Sequence, residues 1–188
     1  SDLHVMAAYA YTDKVAKPWF APAGPQRGRV RNIKRLDRLV SSTEARLLDS
    51  AGWNPIVNDP DFGIIIFGQK TLAAVPSKRD RVNVRRLLIQ MRVDLVPLVR
   101  PLAEFEPNDP TTWSALGLVV KPYLEQLEAE RALNKGTSRF VCDATNNTPQ
   151  TIAAHQLIAE LQINPIDAAE DISVILSIMP NGVTVEAA

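Results

Sequence analysis

The sequence predicts an α+β fold in which a mixed β-sheet of short strands packs with two long helices. Three observations carry that reading. Two stretches, residues 78–99 and 110–134, repeat apolar side chains at helical spacing, whereas the other apolar runs are short and rich in β-branched residues. Fourteen prolines among 188 residues bar interior helical and central-strand positions, and so cut the rest of the chain into short elements. With 46% hydrophobic and 22% charged residues the composition is that of a globular chain, long enough for one full-sized domain or a domain plus an arm.

Residues 3–12 are rich in alanine and predict a short helix ended by Asp13 and Lys14. Residues 17–30 (KPWFAPAGPQRGRV) hold three prolines and two glycines, which predicts a loop pinned by Trp19 and Phe20. Ser41 or Ser42 can cap a helix running to Ala51, with Glu44 near its positive end and Gly52 as its stop. Residues 54–57 and 63–67 (GIIIF) read as strands, the second uncharged and suited to burial on both faces.

In the 78–99 helix, Val84, Leu87, Leu88, Met91, Leu95 and Leu98 share one face, and Val82, Ile89, Val93 and Val96 form a second apolar strip. Arg79, Asn83, Arg86, Gln90 and Asp94 make a polar stripe between them. A helix apolar on two sides is expected to be sandwiched at the centre of the fold, with Pro97 and Pro101 ending or kinking it. Asp109-Pro110 is a start signal for the next helix, whose Trp113, Leu116, Val120, Tyr123, Leu124 and Leu127 recur at helical spacing toward a stop at residues 134–136, with Gly117 and Pro122 weakening its middle. Residues 139–142, 157–163 and 172–178 read as strands, and Asn181-Gly182 as a hairpin turn leading into Val183, Thr184 and Val185. The organisation expected is a leading helix and loop segment (1–40), a core domain (41–180) and a C-terminal arm (181–188).

Twenty-one Lys+Arg balance twenty-one Asp+Glu, so net charge gives no argument for nucleic acid or an anionic membrane. One cysteine and two histidines cannot build a Cys/His zinc set, and neither metal nor cofactor is expected. No apolar run approaches a membrane span, the first ten residues lack the layout of a secretory signal, and the chain is expected to be water-soluble. Phosphate loops, G-x-S-x-G and H-E-x-x-H are absent from the sequence. Cys142, Asp143 and His155 are the one trio that could assemble a thiol nucleophile, base and orienting acid. Against it, Cys142 ends an apolar strand, where a thiol is usually a small buried hydrophobe. The polar run 143–149 resembles a calcium loop in composition but lacks its ligand spacing, and reads as a structural turn.

Two basic clusters stand out. Arg27, Arg29, Arg31, Lys34, Arg35 and Arg38 follow the proline-rich loop; Lys78, Arg79, Arg81, Arg85 and Arg86 open the long helix, where positive charge opposes the macrodipole. Either internal acids such as Asp37, Asp49, Asp80 and glutamates offset them, or an acidic partner does. No aromatic residues are interleaved for base stacking, which argues against nucleic acid.

Several phrases resemble one family, the contractile tail sheath proteins of myophages, of the T-even type in particular. They are PWFAPAG (18–24) with Arg27-Gly28, NPIVN (54–58), GIIIFGQKTL (63–72), DRVNVRRLL (80–88), FEPND (105–109) with Trp113, and VCDATNNTP (141–149). The resemblance runs from about Tyr11 to Val185, and because sheath subunits are usually much longer, this chain looks like the C-terminal part of one. It implies a tail sheath C-terminal domain fold forming the inner layer of a sheath, with no enzymatic activity. It also implies as partners neighbouring sheath subunits in a helical array, the tail tube protein, and baseplate and tail terminator proteins, with no nucleic acid and no membrane. The location implied is the virion tail, assembled in the host cytoplasm. Lys78, Arg79, Arg81, Arg85 and Arg86 are the candidate contacts to tube or neighbour, and reversal of Arg79 and Arg86 is expected to impair assembly without unfolding the domain. Val183, Thr184 and Val185 are the candidate arm that adds a strand to a neighbour, beside the strand at 172–179; an ordinary internal hairpin is the alternative there. Rival readings are a thiol hydrolase using Cys142, His155 and Asp143, and the sheath of a related injection machine such as a pyocin or type VI secretion system.

Overall fold

The computed structural model describes residues 2–31, 33–73, 75, 77–170, 174–179 and 182–187. Along the chain lie α1 (Asp2–Val15), α2 (Gly24–Arg27), α3 (Ser42–Ser50), β1 (Ile56–Asp59), β2 (Gly63–Ile66), a 3-10 turn (Lys78–Asp80), α4 (Val82–Ala103), α5 (Pro110–Ala129), β3 (Arg139–Val141), α6 (Pro149–Ala153), β4 (Glu160–Gln162), β5 (Val174–Met179) and β6 (Gly182–Ala187). The α+β class holds, with helices against short strands. Among the described residues the strands form three separate two-stranded antiparallel ladders, β1-β2, β3-β4 and β5-β6, rather than one sheet.

The helix starts follow the expected chemistry. Ser41 Oγ accepts from the Glu44 amide at 3.2 Å, and Asp109 Oδ1 accepts from the Thr111 and Thr112 amides, both at 2.9 Å, satisfying donors that the first helical turn leaves free. α3 stops where Gly52 takes φ +87° and the Trp53 amide reaches back to Leu48 O.

The main core lies between α4 and α5, where Leu87, Met91, Val120, Leu124, Leu127 and Leu133 close around Trp19, delivered by the proline-rich loop. The indole Nε1 donates to Glu130 O at 3.2 Å, which fixes the loop to the end of α5. Phe140 and Leu161 lay the β3-β4 ladder on the same core. A second layer is built on β2, buried on both faces as its composition predicts. Ile66 packs with Ala8 of α1 and Val30, while Ile65 packs with Ala45 of α3 and Val57. Val30 N donates to Ile64 O, and Ile66 N to Gly28 O, so the loop end borders β2. Gly28 has to be glycine there: a Cβ would lie 2.6 Å from the Ala23 backbone.

Within the stretch 17–30, expected to be a loop, Gly24–Arg27 form the short helix α2, and three expectations about the two long helices also differ from the structure. α4 runs through Pro97 and Pro101 to Ala103; both prolines face solvent, where the carbonyls they leave unpaired can be hydrated. α5 ends at Ala129, well before 134–136, because Arg131 takes the left-handed conformation (φ +62°) that usually requires glycine. α4 is also packed on one side only. Val84, Leu87 and Met91 are buried, while Ile89 and Val93 remain 60% exposed and Val96 50%.

Candidate functional site

The start of α4 is built by local hydrogen bonds. Ser77 Oγ accepts from the Arg79 amide at 3.3 Å and Asp80 Oδ2 accepts from the Ser77 amide at 3.4 Å, a reciprocal cap on the 3-10 turn. Val82 N donates to Gln69 O, and Lys70 bridges to Arg81. The backbone carrying the second basic cluster is thus held in place.

The cluster then divides. Lys78 Nζ donates to Asn164 Oδ1 and Asp167 Oδ2, each at 3.0 Å. Arg81 grips Glu170 with two parallel bonds, Nε to Oε1 at 2.8 Å and Nη2 to Oε2 at 3.0 Å, and its Nη1 donates to Asp80 Oδ1 at 2.9 Å. Burial pulls the Arg81 guanidinium down, but the bond and charge of Glu170 outweigh it and leave its affinity for a proton raised. Arg86 donates to Asp13 and lies 5.2 Å from the Tyr9 ring centroid, tying α1 to α4. Its reversal would strike the fold as well as any partner contact. Arg79 and Arg85 are exposed and make no ion pair among the described residues. Sequence reasoning had not singled out Asp13, Asp167 or Glu170 as partners of these cations. They lie 73 to 89 positions from their partners, and pairing over such separations leaves no local pattern to read. The first cluster is partly tied in the same way, with Arg31 stacked 4.2 Å from the Tyr11 centroid, Arg27 Nε bonded to Ala21 O and Arg38 paired with Glu44.

The C-terminal strands pair only with each other among the described residues. Val183 faces Ile178, Thr184 faces Ser177 and Val185 faces Leu176, with Gly182 opposite Met179 as the first residue of β6. Asn181, the other half of the expected turn, lies outside the described residues, as do Ile172 and its neighbours 171 and 173. Both outer edges of β5-β6 and of β3-β4 are therefore without a strand partner among the described residues.

The Cys142, Asp143 and His155 trio is corrected by the geometry. The Cys142 thiol accepts from Asn147 Nδ2 at 3.7 Å, and burial pushes its pKa up, which disfavours the thiolate. Asp143 Oδ1 is taken by Thr145, accepting from its amide at 2.8 Å and its hydroxyl at 2.5 Å. His155 is an exposed helix terminus at φ +56°. Its amide bonds Ile152 O while the Gln156 amide bonds Thr151 O, the closing pattern of α6. The run 143–149 is a structural turn organised by buried Asn147, whose Oδ1 accepts from Ile158 N at 2.8 Å and whose Nδ2 donates to Ile158 O at 3.0 Å. Two surface concavities, one of about 320 Å³ between α4, α5 and the β3-β4 ladder, are not lined by any of the trio. Among the described residues no group of three or more His, Cys, Asp or Glu could hold a metal, and none of the described helices is long and apolar enough to cross a membrane.

Among the described residues, the exposed cations, the bare helix face and the open strand edges are the features left to explain. The family model of the phage tail sheath C-terminal domain matches residues 74–178, which include α4, α5, both partners of the Lys78 and Arg81 ion pairs, and β3 to β4. The chain belongs to this tail sheath family. The tail sheath protein of Enterobacteria phage T4 is 32% identical over 156 residues, covering 83% of this chain and 23% of that protein. The tail sheath protein of Salmonella phage ViI is 33% identical over 157 residues, covering 84% and 24%. The chain thus spans about a quarter of the length of these sheath relatives. The sheath fold extends to solved structures: the sheath complex of the extracellular contractile injection system PVC in its contracted state (TM-score 0.81, 23% identity, 94% of this chain and 50% of that one), and the helical sheath of the anti-feeding prophage in its contracted state (TM-score 0.81, 22% identity, 94% and 49%).

Proposed function

We propose that this chain is part of a structural subunit of a bacteriophage contractile tail sheath, assembling helically around the tail tube and contracting to drive genome ejection. The observation that carries the reading is the family match across residues 74–178. A phage sheath is favoured over that of an injection machine, because the curated relatives at 32 and 33% identity are phage tail sheath proteins, whereas the injection-system structures share the fold at 22 to 23%.

The reading makes physical sense of the unpaired features. Contacts that repeat without closing generate an open helical array. A strip of exposed Ile89, Val93 and Val96 on α4 is the kind of surface a neighbouring subunit covers. The open edges of the two ladders suit strand addition, with residues 181–188 as the arm and residues 1–40 leading into the core domain 41–180. Main-chain pairing of that kind persists while subunits rotate as rigid bodies, so the array stays connected through contraction. The energy is stored in the extended lattice, no ATP is consumed, and the subunit is not an enzyme. Its partners are other sheath subunits, the tube, the baseplate and the tail terminator; it resides in the virion tail after assembly in the host cytoplasm. Of the basic residues, Arg79 and Arg85 are the contacts to tube or neighbour, since Lys78, Arg81 and Arg86 have internal partners.

Electron microscopy of the full-length protein tests this: striated tubes are expected, and assembly or contraction is impaired by Arg79→Glu with Arg85→Glu while the circular dichroism spectrum is unchanged. Normal assembly and contraction of the double variant would remove these arginines from the interface, and a full-length protein that never forms tubes would remove the sheath reading.

A further inference from the structure

The connection between α4 and α5 is anchored at both ends. The Glu104 amide bonds Arg100 O at 2.9 Å and closes α4. On the other side, Thr112 Oγ1 donates to Pro107 O at 2.7 Å and Trp113 Nε1 to Asn108 Oδ1 at 2.8 Å. Asn108 Nδ2 in turn donates to Gln156 O at 2.9 Å, which fastens the connection to the chain just past α6. Of the phrase FEPND (105–109), these bonds account for Pro107, Asn108 and the capping Asp109. Phe105 is left over. Its backbone is left-handed, φ +66°, and it is 99% exposed. A bulky L residue adopts that backbone at a cost, and an aromatic ring in water forgoes the burial that most favours it. Strain and exposure in one residue on a firm base are the marks of a side chain held out for a partner. Glu104 and Glu106 flank it, both exposed, and Glu106 makes no ion pair among the described residues.

The same chain carries a receptacle of matching chemistry. The groove of about 320 Å³ between α4, α5 and the β3-β4 ladder is walled by Val96, Val99, Val120, Phe140 and Leu161, and Arg100 supplies its positive charge. The Arg100 side chain is 68% exposed and donates to Glu104 at 3.1 Å. An exposed pair of that kind is weak, so the guanidinium can accept a second carboxylate at little cost. The tip is therefore an apolar ring between two carboxylates, and the groove is a set of apolar walls with a guanidinium. Both polarity and charge are complementary, yet within one copy the ring lies in solvent. The occupant the chain itself offers is the tip of another copy. Because tip and groove are different patches, their contact can repeat from copy to copy without closing.

We propose that Phe105 of one copy seats in the apolar groove of a second copy, with Glu106 on the Arg100 of the receiving copy. The ring is the anchor, as an aromatic side chain in a desolvated pocket commonly is, and the charge pair at its edge sets orientation. The choice of a second copy as the occupant rests on the sheath reading above and adds to it a specific contact between subunits.

Photo-cross-linking of the full-length protein tests it. Phe105 is replaced by benzoylphenylalanine, and 15N-labelled and unlabelled copies are mixed under assembly conditions and irradiated. Peptides holding the tip are expected to be joined to peptides holding residues 95–100, 140 or 159–161, in pairs of mixed label that mark a bond between copies. Arg100→Glu is expected to abolish these cross-links, and Arg100→Glu with Glu106→Arg to restore them, a recovery that simple damage to α4 would not give. Cross-links confined to one copy, cross-links to segments outside the groove, no cross-links at all, or a swap as poor as Arg100→Glu alone would each overturn the contact. Tubes that form without groove cross-links would remove this contact and leave the sheath reading standing. Groove cross-links between copies that never form tubes would do the reverse, so the two readings fail separately.

Discussion

Arg131 and His155 hold left-handed backbone at positions where glycine would be unstrained, and both do so to close a helix. Nothing in a sequence marks an arginine or histidine for that role, so the helix end was expected at residues 134–136, and His155 entered only the rival hydrolase reading. Cys142 was easier to read: its place at the end of an apolar run already argued against a reactive thiol, and it is half-buried just past β3. The two residues predict opposite behaviour from a catalytic pair. His155→Gly should raise stability, by up to about 1 kcal/mol, by removing Cβ strain, as checked by urea denaturation. With burial holding its pKa up, Cys142 should react with iodoacetamide more slowly at pH 8 in the folded chain than in urea. The linkage has a definite sign. A thiol whose folded pKa lies above the unfolded one stabilises the fold fully below the unfolded value, and this contribution is lost as pH rises through the folded one.

Among the elements, the helix starts were the most legible part of the fold because they depend on a few adjacent residues. Ser41 and Asp109 cap α3 and α5 as their chemistry dictates. Asp109→Ala should therefore cost about 1 kcal/mol and Asp109→Asn much less, read from the denaturation midpoint at constant slope. α4 was only half legible. Its period is plain in the sequence, but Val84, Leu87 and Met91 on one strip and Ile89, Val93 and Val96 on the other are equally apolar, and the residues alone cannot say which side the same chain covers. The prolines misled for a related reason. Whether an interior proline breaks a helix depends on whether the carbonyls it strands face water, and Pro97 and Pro101 do lie on the solvent side.

At the scale of the whole molecule, the class, the burial of β2 and the family resemblance were readable, the last because matching phrases extend from residue 18 to 149. The division of the basic cluster was not, since it depends on chain crossings that bring Asp13, Asp167 and Glu170 to one helix start. That division makes a comparison of neighbours informative. Arg86 is largely buried, with 17% of its side chain exposed, but Asp13 is 46% exposed, so solvent screening limits what the pair contributes. Arg86→Glu should destabilise the chain by roughly 1–2 kcal/mol and loosen α1, whereas Arg79→Glu should stay within about 0.5 kcal/mol of the parent, both measured by chemical denaturation. The bare strip on α4 has a thermal consequence. If copies adhere through Ile89, Val93 and Val96, that adhesion is entropic near room temperature, so it fades on chilling and strengthens on warming. Copies joined mainly by that strip would come apart in the cold and hold fast when warmed.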